Sequence, residues 1–295
     1  MRVLLTIPHV FAPRDGSLYS SQTEAKRAIK RRAIELATIG NLCRHGRSHW
    51  IHASLGKCKP VITRELETGM GIDLFIHLVT PSSATLADSL PEHPRLTRVD
   101  PGVDDHLQVP LAASRYALEQ AEAYDMVGYM EDDLLIEDPE FFEKILRLVD
   151  LTGGDYAFIP HRCEQIPGKG DVILSGDPDG GRPDLFWATG ERLSFSWPLG
   201  TREFYRATNP HSGCYFLSRA QAIRVHSYWQ ERRWHSEFQL AGPLEQAGSG
   251  LLLPVLKIMK PIPADYRFLM IWHQDELWRR HAFESTKTSI EQEVF

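Results

Sequence analysis

Three consecutive carboxylates, Glu131-Asp132-Asp133, are the residues of this chain whose type and spacing point most directly to chemistry. Adjacent acids repel one another, and the usual solution is a hard divalent cation held by oxygen ligands. The competing reading is a solvated acidic turn, since runs of like charge are commonly surface features. The flanking sequence bears on the choice. Met126-Val127-Gly128-Tyr129-Met130 is an unbroken apolar run of strand length, the pattern of a strand buried on both faces. Asp138-Pro139-Glu140-Phe141-Phe142 follows, a capping residue with proline at the first helical position. The acids therefore lie at the carboxyl end of a strand, where open α/β sheets keep their ligand sites.

Positioning such residues requires a framework, and the rest of the chain supplies one. Met1 to Pro8 reads as a first strand, too short an apolar run for a signal peptide. Ser21-Gln22-Thr23-Glu24 has the spacing of a capping box and opens a helix expected to reach about Gly40. His45, His49 and His52 have neither an acidic nor a cysteine partner nearby, so this segment reads as extended chain rather than a metal cluster. Ile72 to Thr80 is a strand stopped by Pro81, Leu111 to Tyr124 a helix, and Pro139 to Leu151 another helix ending at Gly153-Gly154. Strand and helix alternate over the first 150 residues, which predicts a mostly parallel sheet flanked by helices with Rossmann-like topology.

The second half reads differently. Tyr156 to Pro160 is expected to be a strand, and Cys163 to Asn209 a long irregular insertion. Its aromatics, Phe186, Trp187, Phe195 and Trp197, are suited equally to stacking on sugar rings and to pinning a loop to the core. Beyond it, Ser212 to Ser218 is a glycine followed by a strand, Gln239 to Gln246 reads as helix, and Leu251 to Val255 reads as a short strand.

Composition excludes several classes. With 42% hydrophobic and 24% charged residues the chain is an ordinary globular protein, and its net charge of −6 argues against nucleic acid as a partner. The four cysteines are scattered without metal-ligand spacing and suit a reducing, cytoplasmic setting. No stretch approaches the roughly 20 apolar residues that span a bilayer. The basic segment Lys26 to Arg32 reads as a solvated helix face, with peripheral association to an anionic membrane surface as the alternative.

In order and spacing the chain resembles the GT-A fold glycosyltransferases, close to family 2, of the kind that build bacterial polysaccharides and glycoconjugates. Four places carry the likeness. Glu131-Asp132-Asp133 resembles the DxD-type motif; Ser212-Gly213-Cys214-Tyr215-Phe216 resembles the glycine-bearing loop and strand beside the donor sugar; Glu237 to Ala247-Gly248 and Leu253-Pro254 is similar to the xED helix and the strand after it; and His273 stands where many members carry a metal-binding histidine. The resemblance implies a single domain over 1–295, with 1–160 as nucleotide-binding half and 161–295 as acceptor-binding half and C-terminal tail. It implies a UDP- or GDP-sugar donor, a glycan acceptor, and Mn2+ or Mg2+ on Asp133 and His273. Glu237 is then the general base of an inverting transfer, with Glu245 and Asp275 as alternatives. Glu131, Asp132 and Gly213 face the donor, Pro8 and His9 border the base, and Arg279 or Arg280 contacts the phosphates. Arg115 either reaches the nucleotide or pairs with Glu119. Two rival readings remain, a nucleotidyltransferase acting on sugar phosphates and a non-catalytic, metal-dependent carbohydrate-binding protein. The first usually shows a glycine-rich basic loop after its first strand, and His9 to Gly16 has one glycine and one arginine.

Overall fold

The computed structural model describes residues 1–13, 23–47, 49–54, 56–57, 59–65, 71–166, 170–174, 190–207, 210–234 and 242–274. Strand β1 (Arg2–Pro8) leads to helix α1 (Arg27–Glu35), which continues through a wider turn over Leu36–Gly40 into α2 (Asn41–His45). A hairpin, β2 (His49–Ser54) and β3 (Lys59–Glu65), precedes β4 (Asp73–Val79), β5 (Leu96–Val99) and α3 (Val109–Glu119). Then come β6 (Met126–Met130), the two-residue β7 (Leu134–Leu135), α4 (Phe141–Leu151) and β8 (Tyr156–Phe158). The remaining strands are β9 (His161–Ile166), β10 (Gly170–Leu174), β11 (Arg192–Trp197), β12 (Gly200–Arg206), β13 (Cys214–Ser218), β14 (Lys257–Pro261) and β15 (Met270–His273). Helix α5 (Arg219–Glu231) follows β13, and a single turn, α6 (Pro243–Glu245), precedes β14.

The central sheet has the order β13-β6-β1-β4-β5. Its inner members run parallel, and β13 closes one edge antiparallel to β6. The chain begins in the middle, moves outward through β4 and β5, and then returns by way of α3 to the other side of β1. The order therefore reverses between β1 and β6, and their carboxyl ends flank a crevice. Strands β1 and β6 are almost wholly buried, as their apolar runs require. Gly128 is a packing requirement of β6: a Cβ there would lie within 2.9 Å of Phe216, Leu5 and the Tyr215 carbonyl. On one face, Phe141 and Phe142 of α4 meet Phe216 edge-on, with ring centroids 4.9 and 5.9 Å away. Each such fully buried ring contributes about 1.5–3 kcal/mol. On the other face, Leu4, Val127 and Leu217 pack under α3 and α5.

This is the mixed α/β arrangement expected, a parallel sheet with helices on both faces. Other expectations need correction. Cys163 to Asn209 is not an irregular loop where it is described, for it forms β9 to β12, which belong to two further sheets ordered β10-β9-β15-β7 and β11-β12-β14-β8. Phe195 packs on Phe158 and Phe204, and Trp197 stands edge-on to Phe268, so these aromatics pin a hairpin to the core. Phe186 and Trp187 lie outside the described residues. Leu251 to Val255 is a run of turns, because Leu252 N–H and Leu256 N–H bond locally to Ser249 and Leu252. His45 is buried at the end of α2, where its Nε2–H donates to the Ile136 carbonyl at 2.9 Å.

Candidate active site

At the crevice between β1 and β6, each acid of the triplet has a basic partner from a different part of the chain. His9 follows β1 directly. The Leu86 N–H can only donate, and it meets His9 Nε2 at 3.0 Å; this puts the ring proton on Nδ1, which donates to Asp132 Oδ2 at 2.6 Å. Asp132 keeps a quarter of its side chain exposed. Asp133 is buried, with Lys30 Nζ of α1 and His273 Nε2 of β15 each 3.5 Å from its Oδ2. Burial alone would raise its pKa, but the charges of His273 and Lys30 outweigh that and hold the carboxyl well below its ordinary range. Its Oδ1 is buried with no hydrogen-bond partner.

His273 is oriented from behind. Its Nδ1–H donates to Glu164 Oε1 at 2.6 Å, leaving Nε2 facing Asp133. Burial disfavours a charged ring, yet Asp133 and Glu164 prevail and raise its pKa to about 9. Glu131 is the most enclosed acid, and burial lifts its pKa to about 7 despite Arg162 Nη1 at 3.6 Å and in the presence of Asp133. His211 Nε2 lies 3.5 Å from Glu131 Oε1, and burial together with Arg162 and Lys260 holds this imidazole neutral, well below its usual pKa.

Backbone hydrogen bonds lock the three strand ends together. Glu131 N–H donates to the Gly213 carbonyl at 2.8 Å, and Gln274 N–H donates to the Asp133 carbonyl at 2.8 Å. Lys260 of β14, almost wholly buried, donates to the His211 carbonyl and to Ser212 Oγ at 2.9 and 2.6 Å. Gly213 has φ +71°, and a Cβ there would meet Glu131 Oε2 at 2.8 Å. Gly213 therefore makes room for a protein side chain, Glu131. Behind it, Gly248 packs against His211 and Tyr129.

A cavity of about 290 Å³ opens over these groups, lined by Pro8, His9, Lys30 and all three acids, with Pro243 and Leu244 on the far wall. The structure thus brings together Pro8, His9, Glu131, Asp132, Asp133, Gly213 and His273. Arg115 lies elsewhere: it bonds Glu119 at 2.7 Å, covers the Trp234 ring and lines a separate cavity. Glu237, Arg279, Arg280 and Asp275 lie outside the described residues. Sequence reading missed Lys30, Arg162, Glu164, His211 and Lys260. The basic run around Lys30 looked like a solvated face, and the one available signal for Arg162 and Glu164 was their i, i+2 spacing in a strand.

Among the described residues no set of three or more His, Cys, Asp and Glu side chains is placed to enclose a metal. What exists is a pair, and the pair fits a divalent cation. Asp133 offers an orphaned buried oxygen, and His273 has the carboxylate-backed imidazole characteristic of metal-ligating histidines, whose Nε2 would ligate once a cation displaced the proton it shares with Asp133. Bound phosphate and water would have to complete the shell.

No family model matches the chain, and no curated protein matches it. Among solved structures it is similar to S. aureus TarS 1–349, a glycosyltransferase, with 11% identity over 88% of this chain and a TM-score of 0.41. The chain spans 58% of the length of that structure. At that identity and score the likeness assigns no residue a role.

Proposed function

We propose that this protein is a metal-dependent glycosyltransferase that moves a sugar from a nucleotide diphosphate donor to a hydroxyl of a glycan. One observation carries the reading: the Asp133, His273 and Glu164 chain stands at the switch point of a parallel sheet, beside the His9–Asp132 pair. Asp133 and His273 hold Mn2+ or Mg2+, which when bound neutralises the leaving diphosphate as a Lewis acid. The chain's own cations add to that. Lys30 lines the cavity and places a positive charge where phosphate oxygens would collect. Asp132, fixed by His9 and partly exposed, accepts hydrogen bonds from sugar or ribose hydroxyls. Pro8 and His9 border the nucleotide, so 1–160 contributes most of the donor side and 161–295 the acceptor side.

In this reading the acceptor hydroxyl attacks the anomeric carbon from the face opposite the diphosphate as the bond to it breaks, which inverts the centre, and Glu237 takes the hydroxyl proton. Glu245 is the described alternative, one residue beyond the cavity wall formed by Pro243 and Leu244. A cytoplasmic setting agrees with free thiols at Cys43, Cys163 and Cys214. Among the described residues no helix is long and apolar enough to cross a membrane.

Calorimetry with UDP and GDP, with Mn2+ and then with chelator, tests the metal: affinity falls at least tenfold in chelator and in Asp133→Asn. Equal affinity in all three conditions overturns it. A donor panel of UDP- and GDP-sugars then tests the activity, and Glu237→Gln abolishes transfer while leaving nucleotide affinity within about twofold. Saccharide binding with no nucleotide affinity would instead identify a carbohydrate-binding protein.

A further inference from the structure

Beside the acid cavity lies a larger one of about 580 Å³, which shares His273 and Glu164 with the site above but in which the roles above place no ligand. It sits between α1, β7, β9 and β15, on the side of His273 where Glu164 stands. Its volume is in the range of about 300–1,000 Å³ typical of small-molecule sites. Three features define what it would hold. Trp272 lines it as a flat aromatic wall, its indole N–H fixed on Glu137 Oε2 at 2.6 Å, and Leu36 and Leu135 add aliphatic surface. Glu164 also lines it, beside Gln165, whose amide can both donate and accept. Arg32 contributes a guanidinium from α1.

The lining carries both signs of charge, Arg32 against Glu137 and Glu164, and both carboxylates are already engaged, Glu137 by Trp272 and Arg44 and Glu164 by His273, so neither an anion nor a cation is favoured. It combines a flat apolar wall with hydrogen-bond donors and acceptors. A pyranose presents the complement, an apolar C–H face and a rim of hydroxyls that both donate and accept. We propose that this cavity is a saccharide-binding subsite, with the sugar face on Trp272 and its hydroxyls bonded to Gln165 and Arg32. The choice of a saccharide over other polyols draws on the transferase reading, whereas occupancy needs neither metal nor nucleotide. Because Glu164 also holds His273, a sugar in this cavity touches the group that orients the proposed metal ligand.

The test uses the full chain labelled with 15N-tryptophan, in chelator and without nucleotide. The Trp272 indole resonance is identified by its absence in Trp272→Phe. Methyl glycosides of glucose, galactose, mannose and N-acetylglucosamine are titrated, and at least one moves that resonance saturably with a millimolar midpoint. Arg32 is an exposed residue of α1, so Arg32→Met leaves the other indole resonances in place. It raises the midpoint about tenfold, the loss expected for one hydrogen bond to a charged donor. Absence of any shift with the fold intact overturns the proposal. So does a midpoint unchanged by Arg32→Met, or a shift produced by inorganic pyrophosphate and by no glycoside. Since neither metal nor nucleotide is present, failure here leaves the transferase reading standing, and failure to turn over any sugar nucleotide leaves this result unaffected.

Discussion

Replacing Gly213 by alanine separates backbone strain from crowding of the acid triplet. A side chain at φ +71° costs about 1–2 kcal/mol. The new methyl would also stand 2.8 Å from Glu131 Oε2, 2.9 Å from its Cδ and 3.0 Å from Leu134 Cδ1. Neither neighbour has free space to retreat into, since both are buried, so crowding adds about 1–3 kcal/mol. The sum is about 3 kcal/mol, or a fall in Tm of about 6–12 °C for a chain of this size. Gly153 supplies the control: its φ is +63°, and nothing lies within 4 Å of a Cβ built there. Gly153→Ala therefore costs strain alone, about 1 kcal/mol and about 2–4 °C. The assay is thermal unfolding of both variants, repeated in a Glu131→Ala background, where the Gly213→Ala penalty falls toward that of Gly153→Ala. Equal losses for the two glycines, or a Gly213 penalty indifferent to Glu131, would refute the contact on which the argument rests.

Stability will also depend on pH in a defined direction. Burial pushes His161 down to about 3 and lowers His45, His77 and His211, so below about pH 6.5 the unfolded chain takes up protons that the folded chain refuses. Each costs up to about 1.4 kcal/mol per pH unit on acidification, and Glu131, raised to about 7, offsets only one of the four between about pH 4.5 and 7. His273 acts at the other end, its contribution present below pH 6.5 and lost as pH rises through about 9. Urea midpoints from pH 4 to 10 should therefore peak near neutrality, and a midpoint still rising below pH 5 would contradict this. Gln221 closes the capping box of α5 with Ser218 and donates from Nε2 to the Gly154 and Tyr156 carbonyls at 3.1 and 2.8 Å. Gln221→Ala should cost about 1–3 kcal/mol by denaturant titration; a change below about 0.5 kcal/mol would mean those bonds are not made.

The local patterns were legible before any fold was known. Met126 to Met130 was bounded to the residue, because a five-residue apolar run ending in three charges has no other reading as a strand. The helix after Pro139 and the strand ending at Val79 were also legible, since proline, capping residues and alternation act over a few positions. Cys163 to Asn209 was misread because its strands are short, rich in polar residues and paired with β14 and β15, far along the chain. Nothing local in such segments distinguishes an exposed hairpin from a loop.

The acid triplet shows the same division. Sequence alone determined that Glu131, Asp132 and Asp133 end a buried strand and require positive charge nearby. Which groups answer that need depended on distant parts of the chain: Lys30 from α1, Arg162 from β9 and His273 from β15 bring the positive charge, while His9, just past β1, donates a hydrogen bond to Asp132. Composition records that these residues exist, and spacing says little about their meeting, because the partners stand between 31 and 140 positions apart in sequence or cross from one sheet to another. Only the reversal of strand order beside β1 brings their side chains to one crevice, where low dielectric makes each ion pair count.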